Sequence, residues 1–154
     1  MERRMQLAWE ARTFAQLDAT ILYDILRLRV DAFVVEQQCA YPELDGQDTG
    51  ALHVIGRDAA QEVVAYARIL PPDTGGLHHV GRVVVAGRLR GRGLGGQLMG
   101  EVHRLLLERF GAASSALAAQ AHLLAFYAAC GYAPRGQQYL LDGIPHVDMV
   151  RIAN

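Results

Sequence analysis

The chain has 154 residues, of which 51% are hydrophobic and 20% charged, and its formal net charge is −1. This size and apolar content predict a single domain covering residues 1–154, with a substantial core. The balanced charge argues against a nucleic-acid partner. The segment MERRMQLAWEARTF lacks the apolar run of a signal peptide, and no stretch is long enough to span a membrane. We therefore expect a cytoplasmic protein with no membrane partner.

The first third of the chain predicts one strand, a helical segment and a loop. Alternating apolar residues in MQLAWEARTF (5–14) predict the strand. From Asp18 to about Glu36, apolar residues recur at helical spacing and predict one or two helices, broken near 30–32. The proline, glycine and aspartates of CAYPELDGQDTG (39–50) predict a loop.

The middle of the chain predicts three strands and a long helix. ALHVIGRD and EVVAYARIL have the pattern of a hairpin, and LHHVGRVVVA (77–86) follows the turn PPDTGG as a third strand. An amphipathic helix is predicted after Gly93. Its core stripe comprises Leu94, Leu98, Val102, Leu105 and Phe110.

The last third predicts a buried strand, a short helix and a hairpin. AASSALAA (112–119) has the composition of a short buried strand. HLLAFYAACG (122–131) predicts a helix that Gly131 closes. QQYLLDG and IPHVDMVRI predict a hairpin that turns at Asp142-Gly143.

The stretch RLRGRGLGG (88–96) indicates an anion site. It contains four glycines and three arginines but no acidic residue. Glycine lets a backbone approach a ligand closely, and arginine adds a positive fork suited to phosphate. The predicted helix begins within this stretch, so its unpaired N–H groups and positive dipole end would face the anion.

Three phosphate-binding patterns compete for this stretch. Gly91, Gly93 and Gly96 satisfy the dinucleotide fingerprint, but the loop comes late in the chain, and no acidic residue for the ribose lies between Glu108 and Asp142. A P-loop needs a lysine, and the sequence has none. Arg90-x-x-Gly93-x-Gly95, directly after a strand and opening a helix, fits a third pattern better.

That third pattern resembles the GNAT N-acetyltransferase superfamily, and the whole chain is similar to its ElaA-like branch. The similar segments are LRVDAFVVEQQCAYPELDGQD, VAYARIL, GRVVVAGRLRGRGLGGQLM, QAHLLAFYAACGY and DGIPHVDMV. The resemblance implies an α/β (α+β) fold with a mixed, mostly antiparallel sheet flanked by helices. It also implies that strands 4 and 5 splay apart to admit acetyl-CoA.

The resemblance further implies which residues hold the cofactor. Backbone N–H groups from Arg90 to Gly96 would bind the pyrophosphate, and the strand before them would bind the pantetheine. The Val83 N–H would polarise the thioester carbonyl, and Tyr127 would act as general acid. The expected cofactor-binding residues are Val83, Val84, Val85, Arg90, Gly91, Arg92, Gly93, Leu94, Gly95, Gly96, Gln120, Phe126 and Tyr127.

The general base is left open by the sequence. Many family members carry a glutamate near the start of strand 4, where this chain has Gly81-Arg82. Glu36 is the first candidate by family position. A histidine or a chain of ordered waters could also serve. The resemblance places Arg29, Phe33, Glu36 and His53 on the acceptor side.

The sequence indicates the kind of acceptor only through the charge of the residues expected around it. Four acidic residues in the stretch 36–48 predict a carboxylate-rich rim that attracts a cationic amine, although a solvated acidic loop would have the same composition. They are Glu36, Glu43, Asp45 and Asp48. Neither Cys39 and Cys130 nor any pair of histidines has metal-ligand spacing, so no metal is expected.

The sequence therefore predicts an acetyl-CoA-dependent N-acetyltransferase that acts on a small-molecule or peptide amine, as a monomer or homodimer. One alternative is a non-catalytic acyl-CoA sensor on the same fold. LRVDAFVVEQ also resembles, more loosely, the start of acyl-homoserine-lactone synthases. A nicotinamide oxidoreductase is the remaining alternative.

Overall fold

The described part of the chain, residues 5–112 and 114–152 of the computed structural model, contains eight strands and three α-helices. The strands are β1 Ala8–Thr13, β2 Leu52–Arg57, β3 Val63–Ile69, β4 His78–Val85, β5 Ser115–Gln120, β6 Ala133–Pro134, β7 Tyr139–Leu141 and β8 Ile144–Arg151. The helices are α1 Ala19–Val30, α2 Leu94–Phe110 and α3 Leu124–Ala129.

The strands form one mixed sheet in the order β1-β2-β3-β4-β5-β8-β6, and β7 also pairs with β8. Every described pairing is antiparallel except that of β4 with β5. These two parallel strands pair only at His78–Ser115 and His79–Ala116 and then separate. The expected mixed sheet with splayed fourth and fifth strands is confirmed.

Helix α1 covers one face of the sheet. Its N-cap, Asp18, accepts a hydrogen bond of 2.8 Å from the Ile21 N–H, which satisfies one of the unpaired amides of the first turn. Ile25 is fully buried and packs in a cluster with Ile55 and Tyr66 of the sheet. The α-helix ends at Val30, within the predicted window of 30–32, and the chain stays helical but widens into a π-helical segment, Asp31–Glu36. Such widened turns are rare and are often found at functional sites.

Helix α2 covers the opposite face. Leu98, Val102 and Leu105 are buried as predicted, in a cluster that includes β2, β3, β4 and β5 residues. Phe110 does not belong to this stripe, since it is 45% exposed and stacks on His78 with ring centroids 4.5 Å apart. It is the last residue of the helix, which ends in a left-handed Gly111.

The C-terminal third differs from the prediction mainly at its element ends. The predicted strand 112–119 includes residue 113, which lies outside the described residues, and β5 begins at Ser115. The helix predicted over 122–131 starts with a 3-10 turn, Ala121–Leu123, before α3. The hairpin turn at Asp142-Gly143 is confirmed, because both residues have the positive φ of a type I′ turn.

A buried polar group ties α2 to β5. His103 Nε2 lies 2.9 Å from the Tyr132 hydroxyl, which lies 2.6 Å from Ser115 Oγ. Burial, and then the charge of Arg151, lowers the pKa of His103 to about 4. The folded protein therefore holds this ring in its neutral form at neutral pH.

We expect His103→Gln to flatten the acid limb of the stability curve. The histidine of the unfolded chain has a pKa of about 6.5. The stability that His103 contributes is therefore complete above that pH and is lost as the pH falls towards 4, because the unfolded chain binds the proton first. The melting temperature of the wild type should fall faster than that of the variant across this window. Thermal unfolding between pH 7 and 4 measures this, with His122→Gln, an exposed histidine, as control. Parallel curves for all three proteins would contradict the expectation.

Candidate active site

The glycine loop opens helix α2 without any side-chain cap. Gly91 and Gly93 have φ of 80° and 78°, a conformation that a residue with a β-carbon adopts only with strain. Gly93 is the N-cap, and the first turn contains no acidic residue. The first amides of the helix therefore have no partner within the helix. Unpaired amides at the positive end of a helix dipole are suited to binding an anion.

Gly95 in the same loop allows close packing between α2 and α3. A β-carbon there would lie 3.2 Å from two ring atoms of Phe126 on α3. The glycine thus lets the phenylalanine ring pack against the first turn of α2. A β-carbon at Gly96 would meet no atom within 4 Å.

The three arginines of the loop have different partners. Arg88 binds Asp58 and Glu62 at 3.1 and 3.0 Å. Arg90 binds Glu36 at 2.6 Å and donates to the Val85 carbonyl at 3.1 Å. Among the described residues, Arg92 has no ion-pair partner. Arg92 is therefore the loop arginine whose charge is available to a phosphate.

A β-bulge interrupts the pairing of β3 with β4 beside the gap. Arg68 pairs with Gly81 and Tyr66 with Val84, so two residues of β4, Arg82 and Val83, lie opposite one residue of β3. Arg82 has a φ of 52°. The extra residue of a bulge is left outside the hydrogen-bond ladder, which frees a backbone N–H at the point where β4 leaves β5. Val83 is one of the two residues in this bulge.

Tyr127 presents a free hydroxyl from a fixed ring. The ring packs edge-on against Phe126 and Tyr132, with centroids 4.9 and 6.1 Å away. The hydroxyl makes no hydrogen bond with a described residue. The residue as a whole is 6% exposed. Burial of the ring raises the pKa of Tyr127, which keeps the hydroxyl protonated.

The end of the π-helical segment crosses the mouth of the gap. Glu36 binds Arg90 in the glycine loop, and a β-carbon at Gly87 would lie 3.1 Å from its Oε1. Gln37 exchanges side-chain hydrogen bonds of 3.3 and 3.4 Å with Gln120 at the end of β5. The structure therefore brings two expected site residues, Glu36 and Gln120, into contact with neighbours across the mouth.

An open groove between α2 and α3 extends from the glycine loop. It encloses about 290 Å³ and is lined by Gly96, Met99, Gly100, His103, Phe126, Ala129 and Cys130. Only two of these residues, Gly96 and Phe126, were expected at the cofactor site. The small residues Gly96 and Gly100, one helical turn apart on α2, are the signal that could have identified the groove.

Six charged residues form a closed ring of ion pairs on the acceptor side. They are Arg29 of α1, Arg68 of β3 and Arg82 of β4, with Glu43, Asp45 and Asp48 of the loop 39–50. Each arginine binds two carboxylates, and each carboxylate binds two arginines. The ring joins one helix, two strands and the loop.

The distances around the ring are those of direct hydrogen bonds. Arg29 lies 2.7 Å from both Glu43 and Asp48. Arg68 binds Asp45 at 2.5 Å and Asp48 at 3.0 Å. Arg82 completes the ring through Glu43 at 2.9 Å and Asp45 at 3.4 Å.

The predicted carboxylate-rich rim is therefore wrong, and so is its alternative of a solvated acidic loop. Glu43 is only 5% exposed and also accepts a hydrogen bond from Tyr41. Hydrogen bonds from Arg68 lower the pKa of Asp45. Burial opposes the same shift at Asp48, but hydrogen bonds from Arg29 and Arg68 outweigh it and lower the pKa. Three positive charges cancel three negative ones, so the ring offers no net attraction for a cation.

Two residues expected on the acceptor side lie beneath the surface. Arg29 and His53 are each 0% exposed. His53 Nδ1 lies 2.6 Å from the Tyr66 hydroxyl, and its Nε2 lies 2.9 Å from the Asp48 carbonyl. Burial lowers the pKa of His53. Both residues support the loop 39–50, and we do not propose them as substrate contacts. Phe33 is half-buried against the α1 cluster.

Within residues 5–112 and 114–152, no group of three or more histidine, cysteine, aspartate or glutamate side chains is arranged to hold a metal ion. No helix of the described segments is both long and apolar enough to cross a bilayer.

The parted strands, the bulge and the uncapped glycine loop together define the class of acyl-CoA N-acyltransferase folds. The GNAT acetyltransferase domain family matches residues 22–153, and the chain belongs to that family. The ElaA protein of Escherichia coli is 41% identical over 148 residues, which cover 94% of this chain and 96% of ElaA.

Solved structures agree with this assignment. An acyl-CoA N-acyltransferase from Pseudomonas aeruginosa is 37% identical with a TM-score of 0.89, and E. coli ElaA is 36% identical with a TM-score of 0.87. Each comparison covers 96% of this chain and 100% of the other. BjaI, a CoA-dependent acyl-homoserine lactone synthase, is 20% identical with a TM-score of 0.77, over 94% of this chain and 82% of that one. At that identity it shares the fold alone.

Proposed function

We propose that the protein, as a single GNAT domain, transfers an acetyl group from acetyl-CoA to a primary amine of a small molecule or peptide. The observation that carries the proposal is the uncapped start of α2 beside the gap between β4 and β5. The cofactor's pyrophosphate would lie on the amides between Arg90 and Gly96, with Arg92 nearby. Its pantetheine would extend along β4 at Val83 to Val85, towards Gln120 and Phe126.

The chemistry would take place at the bulge. The amine nitrogen attacks the thioester carbon, and the Val83 N–H stabilises the oxyanion that forms. The C–S bond then breaks and CoA leaves as a thiolate. Tyr127 donates a proton to the sulfur, and the proton that the amine loses returns to Tyr127 through water.

Three routes for removing the proton of the amine were expected: Glu36, a histidine or a chain of ordered waters. The Glu36 carboxylate is bound to Arg90, and this ion pair favours water. Turnover should then follow the protonation state of the acceptor amine itself.

We expect Gly93→Val to weaken CoA binding at least tenfold. A valine side chain at the N-cap would obstruct the approach of the pyrophosphate to the free amides, and the left-handed φ would be strained. Isothermal titration calorimetry with CoA and with NAD measures the effect. The wild type should prefer CoA.

Gly111→Val is the matched control, because Gly111 also has a positive φ, 62°, and lies at the far end of the same helix. Both variants should lose similar stability, and only Gly93→Val should lose CoA affinity. Equal CoA affinity in the two folded variants would refute the pyrophosphate site. Tight binding without CoA release over many amines would instead indicate an acyl-CoA sensor.

A further inference from the structure

One donor in the ion-pair ring has no partner. Arg68 is 3% exposed, and its terminal nitrogens bind Asp45 and Asp48. Its Nε is the one buried side-chain nitrogen or oxygen in the described residues that makes no hydrogen bond. A guanidinium is always charged, and a buried N–H without an acceptor is unfavourable. An acceptor that arrives with a ligand would satisfy it.

Residue 81, which pairs with Arg68 across the two strands, is a glycine, so β4 places no side chain against this donor. A β-carbon built on Gly81 would have Arg68 Nε, 3.9 Å away, as its one non-neighbouring atom within 4 Å. A side chain at this position would lie against the N–H group. The unpaired donor of β3 and the missing side chain of β4 are therefore neighbours.

This place lies next to the reaction centre. Gly81 and Val83 are separated by the bulged residue Arg82 on β4. Two residues of strand span at most roughly 7 Å. A group held at Arg68 Nε and an amine aimed at the thioester over Val83 can therefore belong to one small molecule.

The guanidinium of Arg68 favours a carboxylate as the group that binds it. Charge-assisted hydrogen bonds between guanidinium and carboxylate are stronger than neutral ones. The ring is neutral overall, so its own carboxylates do not leave a net negative charge to oppose an anion.

We propose that the acceptor is an amino acid or short aminoalkanoate whose carboxylate binds Arg68 Nε beside Gly81. The inference rests on the proposed acyl transfer and specifies its acceptor. It replaces the cationic-amine preference expected from the sequence, because the ring neutralises the carboxylates on which that expectation depended.

The first experiment compares amino acids and β-alanine with their carboxamides as acceptors, by release of CoA thiol. Losing one hydrogen bond to a charged group should lower kcat/KM for the amides roughly ten- to a hundredfold. Amides that react as well as the acids would overturn the carboxylate site and leave the proposed acyl transfer intact.

The second experiment uses Gly81→Ala, whose methyl group would lie 3.9 Å from Nε and so stand beside the donor. It should lower kcat/KM for the acids to the level of the amides, with little change for the amides themselves. Gly75→Ala, in the turn before β4, is the control and should keep the preference. An undiminished preference in Gly81→Ala would overturn the proposal.

A binding measurement separates the two hypotheses. Calorimetry of β-alanine against the protein saturated with CoA should show binding that β-alaninamide lacks and that Gly81→Ala abolishes. This result without any turnover would support the carboxylate site and refute acyl transfer. No difference between β-alanine and its amide in binding would refute the carboxylate site.

Discussion

Tyr127→Phe is expected to lower kcat by roughly 10²–10⁴-fold and to leave the affinity for CoA nearly unchanged. The hydroxyl has no partner among the described residues, so its removal breaks no internal hydrogen bond. The ring contacts with Phe126 and Tyr132 remain in the variant. The loss of kcat should therefore arise at the step in which the thiolate leaves. The affinity for CoA should stay nearly unchanged, because the bound ground state does not depend on this proton.

The experiment pairs steady-state kinetics with calorimetry of CoA binding. Tyr23→Phe is the control, because Tyr23 is 69% exposed on α1 and should keep full activity. If Tyr127→Phe kept its kcat with a good acceptor, the thiolate would leave without this acid.

Arg29→Leu is expected to destabilise the fold by about 3–5 kcal/mol, or to lower the melting temperature by roughly 6–20 °C. The substitution leaves Glu43 and Asp48 without the arginine that lies 2.7 Å from each. Burial makes an unpaired charge here much more unfavourable than at the surface. Chemical denaturation and thermal unfolding measure the change.

Arg104→Leu is the matched control. Arg104 also binds two carboxylates, Glu101 and Glu108, but its side chain is 53% exposed on α2. Exposed pairs contribute about 0–1 kcal/mol, so this variant should stay close to the wild type. Equal losses in the two variants would mean that the ring does not stabilise the fold through its buried charges.

Local sequence signals were enough for the order of the elements and for the conformation of the glycine loop. Gly91 and Gly93 are in the left-handed conformation that glycine adopts most readily, and the helix begins directly after them. Leu98, Val102 and Leu105 face the core because helical spacing repeats every 3.6 residues. These features depend on residues close together in the chain, so a single sequence contains their cause.

The same sequence could not show which charged residues bind each other. Arg68 and Asp45 are 23 residues apart and Arg82 and Glu43 are 39 apart, yet they are direct partners. Composition alone made the stretch 36–48 an acidic rim, and family position made Glu36 a candidate base. Whether a carboxylate faces solvent or an arginine depends on how strands and loop pack, because the pairing is made between elements that only the folded sheet brings together. The unpaired Arg68 Nε beside Gly81 could likewise be found only in the structure, since the acceptors available to a donor are its neighbours in space and not those in the chain.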